Sequence, residues 1–305
     1  MNNRYLIIGG SGFIGRHLAA HLGPERCVAT YYNRAHEGMF QFAPPLDQLD
    51  DFIDEHGPFT HAYVLMAMSN LLRCIQDKLG SNLINVITTK ELIDTLLARG
   101  ITPIFSSSDS IFDGEKGDYV ESDAPNPLVT YGQQKLAVEE YLRDKAPDNH
   151  IIVRLSKTYG TDPLKSTLIT AWLFDWYKGS QINCATDQRF CPIHVDDAAQ
   201  GLALLADNGL TGTFHLGGPK PWTRAQLLEG LKQAYEANIG PVPSWNVNFC
   251  HINDFGFTER WPVDITMKID KFVQATGFTP RDADGAIDEI IQRLAQAIAQ
   301  EEQAN

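Results

Sequence analysis

The chain has 305 residues, 43% hydrophobic and 21% charged, a composition that allows one large domain or two closely packed ones. Its formal net charge of −13, without a lysine/arginine block, disfavours DNA or RNA as a partner. No apolar run approaches the ~20 residues that cross a bilayer, and the five scattered cysteines form no C-x-x-C pair, so they read as reduced thiols and not a zinc site or disulfide frame.

The opening Met1-Asn2-Asn3-Arg4 enters a strand-like run and lacks a signal peptide's cleavage region, so an unexported, cytoplasmic chain is expected. Tyr5 to Ile8 reads as a buried parallel strand ending in glycines, and Phe13 to Leu22 as a helix. Cys27 to Tyr32 is a second strand, 46–56 a short acidic helix stopped by Gly57-Pro58, and 62–67 a further buried strand. A long helix is expected over 82–99, closed by Gly100. Strand 102–106, helix 129–145 and strand 150–155 follow. Beyond Tyr159 the pattern loosens: 168–178, 195–206 and 223–238 look helical and 212–216 strand-like. The stretch 239–257, rich in proline, tryptophan and asparagine, suits either a pocket wall or a surface excursion. Alternating strands and helices predict an α/β fold: a Rossmann-like parallel sheet with helices on both faces, plus a smaller C-terminal substrate-binding domain. The expected units are 1–160, with 194–216 returning to it, and mainly 161–305.

Gly9-Gly10-Ser11-Gly12-Phe13-Ile14-Gly15 follows the first strand and opens the first helix. There Gly9 permits the turn, Gly12 lets backbone approach a pyrophosphate, and Gly15 allows close helix–strand packing; the anion sits at the helix N-terminus. Strand two ends Tyr31-Tyr32-Asn33-Arg34, with no carboxylate until Glu37. Arg34 can pair with a 2′-phosphate and Asn33 can donate to it, so NADP is the preferred cofactor and NAD the second choice. Gly9, Ser11, Gly12, Phe13, Ile14, Gly15, Asn33 and Arg34 form the expected cofactor set.

Tyr131 and Lys135, at i and i+4, share a helix face, and a nearby ammonium can lower a phenol's pKa. Tyr141 and Lys145 repeat the spacing too far along and around the helix to serve the same site. Ser106-Ser107-Ser108 ends a strand, where open parallel sheets bind ligands. His194-Val195-Asp196-Asp197 has one histidine and two divergent carboxylates, so no metal site is expected and the aspartates read as helix caps.

The glycine loop, Asn85-Val86, Ser106-Ser107-Ser108, Tyr131-Gly-Gln-Gln-Lys135, Arg154 with Tyr159-Gly160, and His194-Val195-Asp196-Asp197 occur in an order that resembles the extended short-chain dehydrogenases/reductases over nearly the whole chain. Ser107-Ser108-Asp109-Ser110-Ile111-Phe112-Asp113-Gly114, Asp187-Gln188-Arg189-Phe190-Cys191-Pro192 and Arg260-Trp261-Pro262 are similar to stretches of the dTDP-4-dehydrorhamnose reductases. The resemblance implies NAD(P)H-dependent reduction of a 4-keto-6-deoxy nucleotide-sugar, with Ser108, Tyr131 and Lys135 catalytic, and it adds Ala67 and Lys135 to the cofactor set. Ser108, Asp109, Ser110, Lys157 and Arg189 are the implied substrate contacts, Arg189 the favoured phosphate ligand ahead of Lys157, Arg260 and Lys268. It leaves room for a homodimer. Asp109 is followed by Ser110, not the glutamate that dehydratases of the family use. An epimerase with the same three residues and a non-catalytic NADP-binding regulatory subunit remain alternatives.

Overall fold

The computed structural model describes residues 3–304; Met1 and Asn2, on which the expectation of an unexported chain partly rests, and Asn305, the end of the second expected unit, lie outside the described residues. Strand β1 (Tyr5–Ile8) runs into α1 (Phe13–Leu22), β2 (Cys27–Tyr31), β3 (Phe40–Gln41), α2 (Leu49–His56) and β4 (His61–Val64). Helices α3 (Leu71–Gln76), α4 (Lys78–Asn82) and α5 (Thr89–Ala98) lead to β5 (Thr102–Ser108), α6 (Thr130–Lys145) and β6 (Ile151–Leu155). The second half comprises β7 (Thr158–Tyr159), α7 (Ala171–Lys178), β8 (Ile182–Ala185), β9 (Arg189–Phe190), β10 (Ile193–His194), α8 (Val195–Asp207) and β11 (Gly212–Leu216). It ends with β12 (Trp222–Thr223), α9 (Arg224–Asn238), β13 (Val247–Cys250), α10 (Asp270–Thr276) and α11 (Asp284–Ala304).

Seven strands form one parallel sheet in the order β11-β6-β5-β4-β1-β2-β3. Because side chains alternate across a strand, Ile7, Tyr63, Ile104 and Val153 pack with α1 and α8 on one face. Leu6, Ile8, Val64 and Phe105 pack with residues of α2, α5 and α6 on the other. Both faces are covered, which is why the strands read as unbroken apolar runs. The expected Rossmann-like fold is present.

The helix expected over 82–99 is built differently: Leu83–Thr88 forms a π-helical turn before α5. Its buried Asn85 accepts from Met68 N (2.7 Å) and donates to Met68 O (3.1 Å) and Gln134 Oε1 (2.7 Å). The extra residue in that turn thus sits where a helix must also clamp the loop after β4, a common setting for π-bulges.

A separate apolar core joins Trp172, Trp176, Phe190, Leu227, Leu231 and Ile290, drawn from α7, β9, α9 and α11. The aperiodic 239–257 stretch adds β13, paired parallel with β8, so it is a structural strand of this unit. Helix α10 instead returns to the sheet, where Phe272 packs into the core that contains Leu216 and Leu202. Among the described residues no helix is long and apolar enough to cross a membrane.

Candidate active site

A cavity of about 970 Å³ opens along the C-terminal ends of β1, β5 and β6 and continues toward α9. At one end lies the glycine loop. Gly9 has φ +92°, a conformation that side chains disfavour, and a Cβ there would stand 2.8 Å from Met66 N. A Cβ on Gly15 would collide with the Gly9 carbonyl oxygen, so α1 can approach the loop only through glycine. Thr30 Oγ braces the turn, accepting from Gly9 N and donating to Ile7 O at 3.2 Å each. Gly12 N-caps α1 without a side chain, leaving the helix's first NH groups beside the cavity.

Gly9, Ser11, Gly12, Phe13, Ile14, Gly15, Ala67 and Lys135 all line this space, as do Tyr32, Phe42, Pro44 and Pro45. Asn33 and Arg34 do not; both are exposed just past the rim residue Tyr32. Gln41 also lies outside the lining and donates to Tyr32 O at 3.3 Å.

The middle of the cavity holds the serine run and the Tyr/Lys helix. Lys135 is buried, donates to the Ser106 carbonyl at 2.7 Å, and lies 5.6 Å from the Tyr131 ring centre and 4.6 Å from that of Phe105. Burial lowers its ammonium pKa to about 8, against the raising influence of Glu139. Tyr131 behaves otherwise than its spacing from Lys135 suggests. Burial first, then the Asp109 carboxylate, push its phenol above the ordinary tyrosine range. The protein alone therefore keeps Tyr131 protonated. Tyr141 is absent from the lining and donates to Asp94 at 2.6 Å on the outer surface.

Ser108 Oγ donates to Asp109 Oδ1 at 3.0 Å and accepts from Ser110 N at 3.1 Å. The buried Asp109 also accepts from Ser110 Oγ (3.4 Å) and Ser156 Oγ (3.3 Å). Its pKa is raised by burial and pulled back by the charge of Lys157. Ser107 Oγ, buried and on the lining, has no hydrogen-bond partner among the described residues.

At the far end Ser110, Lys157 and Arg224 complete the wall. Arg189 does not join them. It is half-exposed, outside the lining, and paired with Asp264 at 2.7 Å. Arg260 and Lys268 likewise face surface acids, Glu115 at 3.7 Å and Asp118 at 3.3 Å. None of the five tryptophans lines the cavity. Arg224 is the residue that sequence reasoning missed. Thr223-x-x-Gln226 is a capping box that sets Arg224 at the first position of α9, but its approach to the cavity depends on the long-range pairing of β12 with β9.

At the start of α8 the cap is His194, whose ring nitrogen accepts from Asp196 N at 3.2 Å; the two aspartates occupy the first turn instead of the cap position. Asp196 pairs with His17 and Asp197 with Arg281. Among the described residues no group of three or more His, Cys, Asp or Glu is arranged to hold a metal ion.

The model of the RmlD substrate binding domain matches residues 3–296. The probable low-salt glycan biosynthesis reductase Agl14 of Haloferax volcanii is 38% identical over 44% of this chain and 45% of its own length, so that match spans under half of the relative. The dTDP-4-keto-6-deoxy-D-glucose reductase of Streptomyces niveus is 27% identical over 80% of this chain and 84% of its own. Methionine adenosyltransferase 2 subunit beta of Bos taurus is 28% identical over 77% and 72%. In fold, the chain is similar to a hypothetical dTDP-4-dehydrorhamnose reductase from Sulfolobus tokodaii, with a TM-score of 0.78, 24% identity, and coverage of 92% of this chain and 98% of that one.

Proposed function

This chain belongs to the RmlD substrate binding domain family, and on that premise we propose that it is an NADPH-dependent reductase acting on the keto group of a 4-keto-6-deoxy nucleotide-sugar. The observation that carries the reading is a single cavity that runs from the glycine cradle past Ser108, Tyr131 and Lys135. A dinucleotide suits that cradle: the Gly9 turn, the open start of α1 and the unpartnered Ser107 hydroxyl are groups left for a ligand to satisfy. The sheet unit, 1–160 with 194–216, supplies the dinucleotide side, and mainly 161–305 supplies the substrate side.

When bound, the nicotinamide cofactor supplies hydride. The protein's own part is proton and charge management. Ser108 Oγ turns from Asp109 to donate a hydrogen bond to the keto oxygen, and Tyr131 delivers a proton to that oxygen as negative charge develops. The raised phenol pKa keeps that proton on Tyr131 until it is needed. Lys135, anchored on the Ser106 carbonyl, offsets the phenolate that remains. Arg34, free of a neighbouring strand-end carboxylate, takes the 2′-phosphate from the rim and makes NADPH the preferred cofactor.

The experiment is a screen of dTDP-, UDP- and GDP-4-keto-6-deoxysugars for NADPH oxidation. Stoichiometric NADPH loss with one of them supports the reading; no loss with any of them contradicts it. The relationship to methionine adenosyltransferase 2 subunit beta favours a second reading, a dinucleotide-binding regulatory subunit, for which NADPH would bind without turnover.

A further inference from the structure

The far wall of the cavity contains two cations that the protein does not neutralise. Arg224 donates through Nε to the buried Gln188 at 2.8 Å, and neither Arg224 nor Lys157 has an ion-pair partner within 4.0 Å among the described residues. Both stand over one ring: Lys157 Nζ is 5.6 Å and the Arg224 guanidinium carbon 5.7 Å from the centre of Phe190, itself fully buried. The carboxylate whose charge acts on Lys157 is Asp109, which lies beyond ion-pair distance and already accepts three serine hydrogen bonds. Burial disfavours the charged form of both cations, and the charge of Arg224 adds to the cost at Lys157.

That arrangement is unusual in this molecule. The deeply buried Arg154 is matched by Glu139, and Arg281 and Arg189 each hold an aspartate. A chain with 38 acidic residues against 25 basic ones has carboxylates to spare, yet among the described residues none stands within ion-pair distance of either cation. Two partly buried cations beside one already hydrogen-bonded carboxylate carry a cost that a bound anion offsets. Gln188 fixes Arg224 through Nε and so leaves the terminal NH₂ groups of the guanidinium, which bind oxyanions, free to face the cavity.

We propose that Arg224 and Lys157 form a prebuilt oxyanion seat for the substrate, with Gln188 as the residue that positions Arg224. The inference rests on the nucleotide-sugar reading and names the residues that recognise the negative charge. Phosphate and carboxylate share the required chemistry: the proposed 4-keto-6-deoxy nucleotide-sugar offers its diphosphate, whereas a carboxylate on the sugar would keep the seat and replace that 6-deoxy substrate with an acidic sugar.

The test is titration calorimetry of UDP-glucose and UDP-glucuronic acid into wild type, Arg224→Gln and Gln188→Ala, each saturated with NADPH. A diphosphate seat gives at least a tenfold loss of affinity for both ligands in Arg224→Gln. A carboxylate seat gives tighter wild-type binding of the glucuronic acid compound, and that preference disappears in Arg224→Gln. In either case Gln188→Ala weakens the same ligand by a smaller factor, NADPH affinity stays unchanged, and Arg224→Lys restores part of the loss. Unchanged binding of both ligands in Arg224→Gln overturns the proposal, as does their failure to bind the wild type. Because the readout is binding, a seat that responds as expected in a protein that oxidises no NADPH would refute the reductase reading alone.

Discussion

The two walls of the cavity are built by different kinds of information. The sheet-side wall, from Gly9 to Lys135, rests on local chain rules: a turn that needs glycine, a strand end that exposes hydroxyls, and two side chains one helical turn apart. The far wall rests on pairings between distant segments. Trp222 and Thr223 lie antiparallel to Phe190 and Arg189, and this register brings Arg224 to Gln188. Along a strand, neighbours point to opposite faces, so Phe190 is buried while Arg189 emerges to meet Asp264. One residue along β9 separates the buried ring beneath Arg224 from a surface ion pair.

The largest effect that bears on this comparison is expected on the sheet side. Tyr131→Phe should lower turnover by about 10²–10⁴-fold with NADPH binding preserved, the range for loss of a positioned proton donor. Tyr141→Phe, whose hydroxyl is spent on Asp94, should leave turnover unchanged. Steady-state kinetics with both variants checks this, and equal effects would dissolve the distinction between the two tyrosines.

Next in size is the support beneath both walls. Arg154 and Glu139 are fully buried, with Arg154 Nη2 donating to Glu139 at 2.9 Å. Arg154→Ala leaves the buried Glu139 to the more exposed Arg143 at 3.0 Å and should cost about 3 kcal/mol in denaturant unfolding, the low end for a broken buried pair. A loss under about 1 kcal/mol would mean that Arg143 alone satisfies Glu139.

A smaller, pH-dependent effect belongs to His215. Burial first, then Arg154, lower its pKa from 6.5 to about 3, so the folded protein keeps it neutral while the unfolded chain protonates it. The unfolded state binds more protons between those values. Stability should therefore fall as pH drops from 6.5 toward 3, by at most about 1.4 kcal/mol per pH unit from this group. Unfolding curves of wild type and His215→Gln should converge as the pH falls through this window; parallel curves would show that His215 does not titrate differently on folding.

The smallest expected effect is at Arg189. Its pairing with Asp264 is half-exposed, and such pairs contribute about 0–1 kcal/mol. Arg189→Ala should change the Michaelis constant for a nucleotide-sugar by less than about twofold, within the scatter of kinetic measurement. A tenfold rise would move the oxyanion seat from Arg224 to Arg189.

What could be read from the sequence follows the same division. The parallel sheet, the Gly9–Gly15 turn and the position of Tyr131, not Tyr141, beside the cavity were legible because each depends on residues close together in the chain. The π-turn at Leu83–Thr88 was not, since Asn85 is drawn there by Met68 and Gln134, which no local period reveals. The phenol of Tyr131 was expected to be lowered by Lys135, but the burial that raises it comes from the folded cavity. Arg224 escaped notice because a capping box marks where a helix begins and says nothing about which cavity its first residue enters.

On the proposed reading, Ser108, Tyr131 and Lys135 act together in one cavity on a substrate keto group. The most direct measurement supplies NADPH deuterated at the transferable C4 position together with dTDP-4-keto-6-deoxyglucose and analyses the sugar product by mass spectrometry. One deuterium is expected on the reduced sugar, with an equal amount of NADP formed in wild type, and both should be nearly abolished in Tyr131→Phe. Tight NADPH binding with unlabelled, unreduced sugar would contradict it.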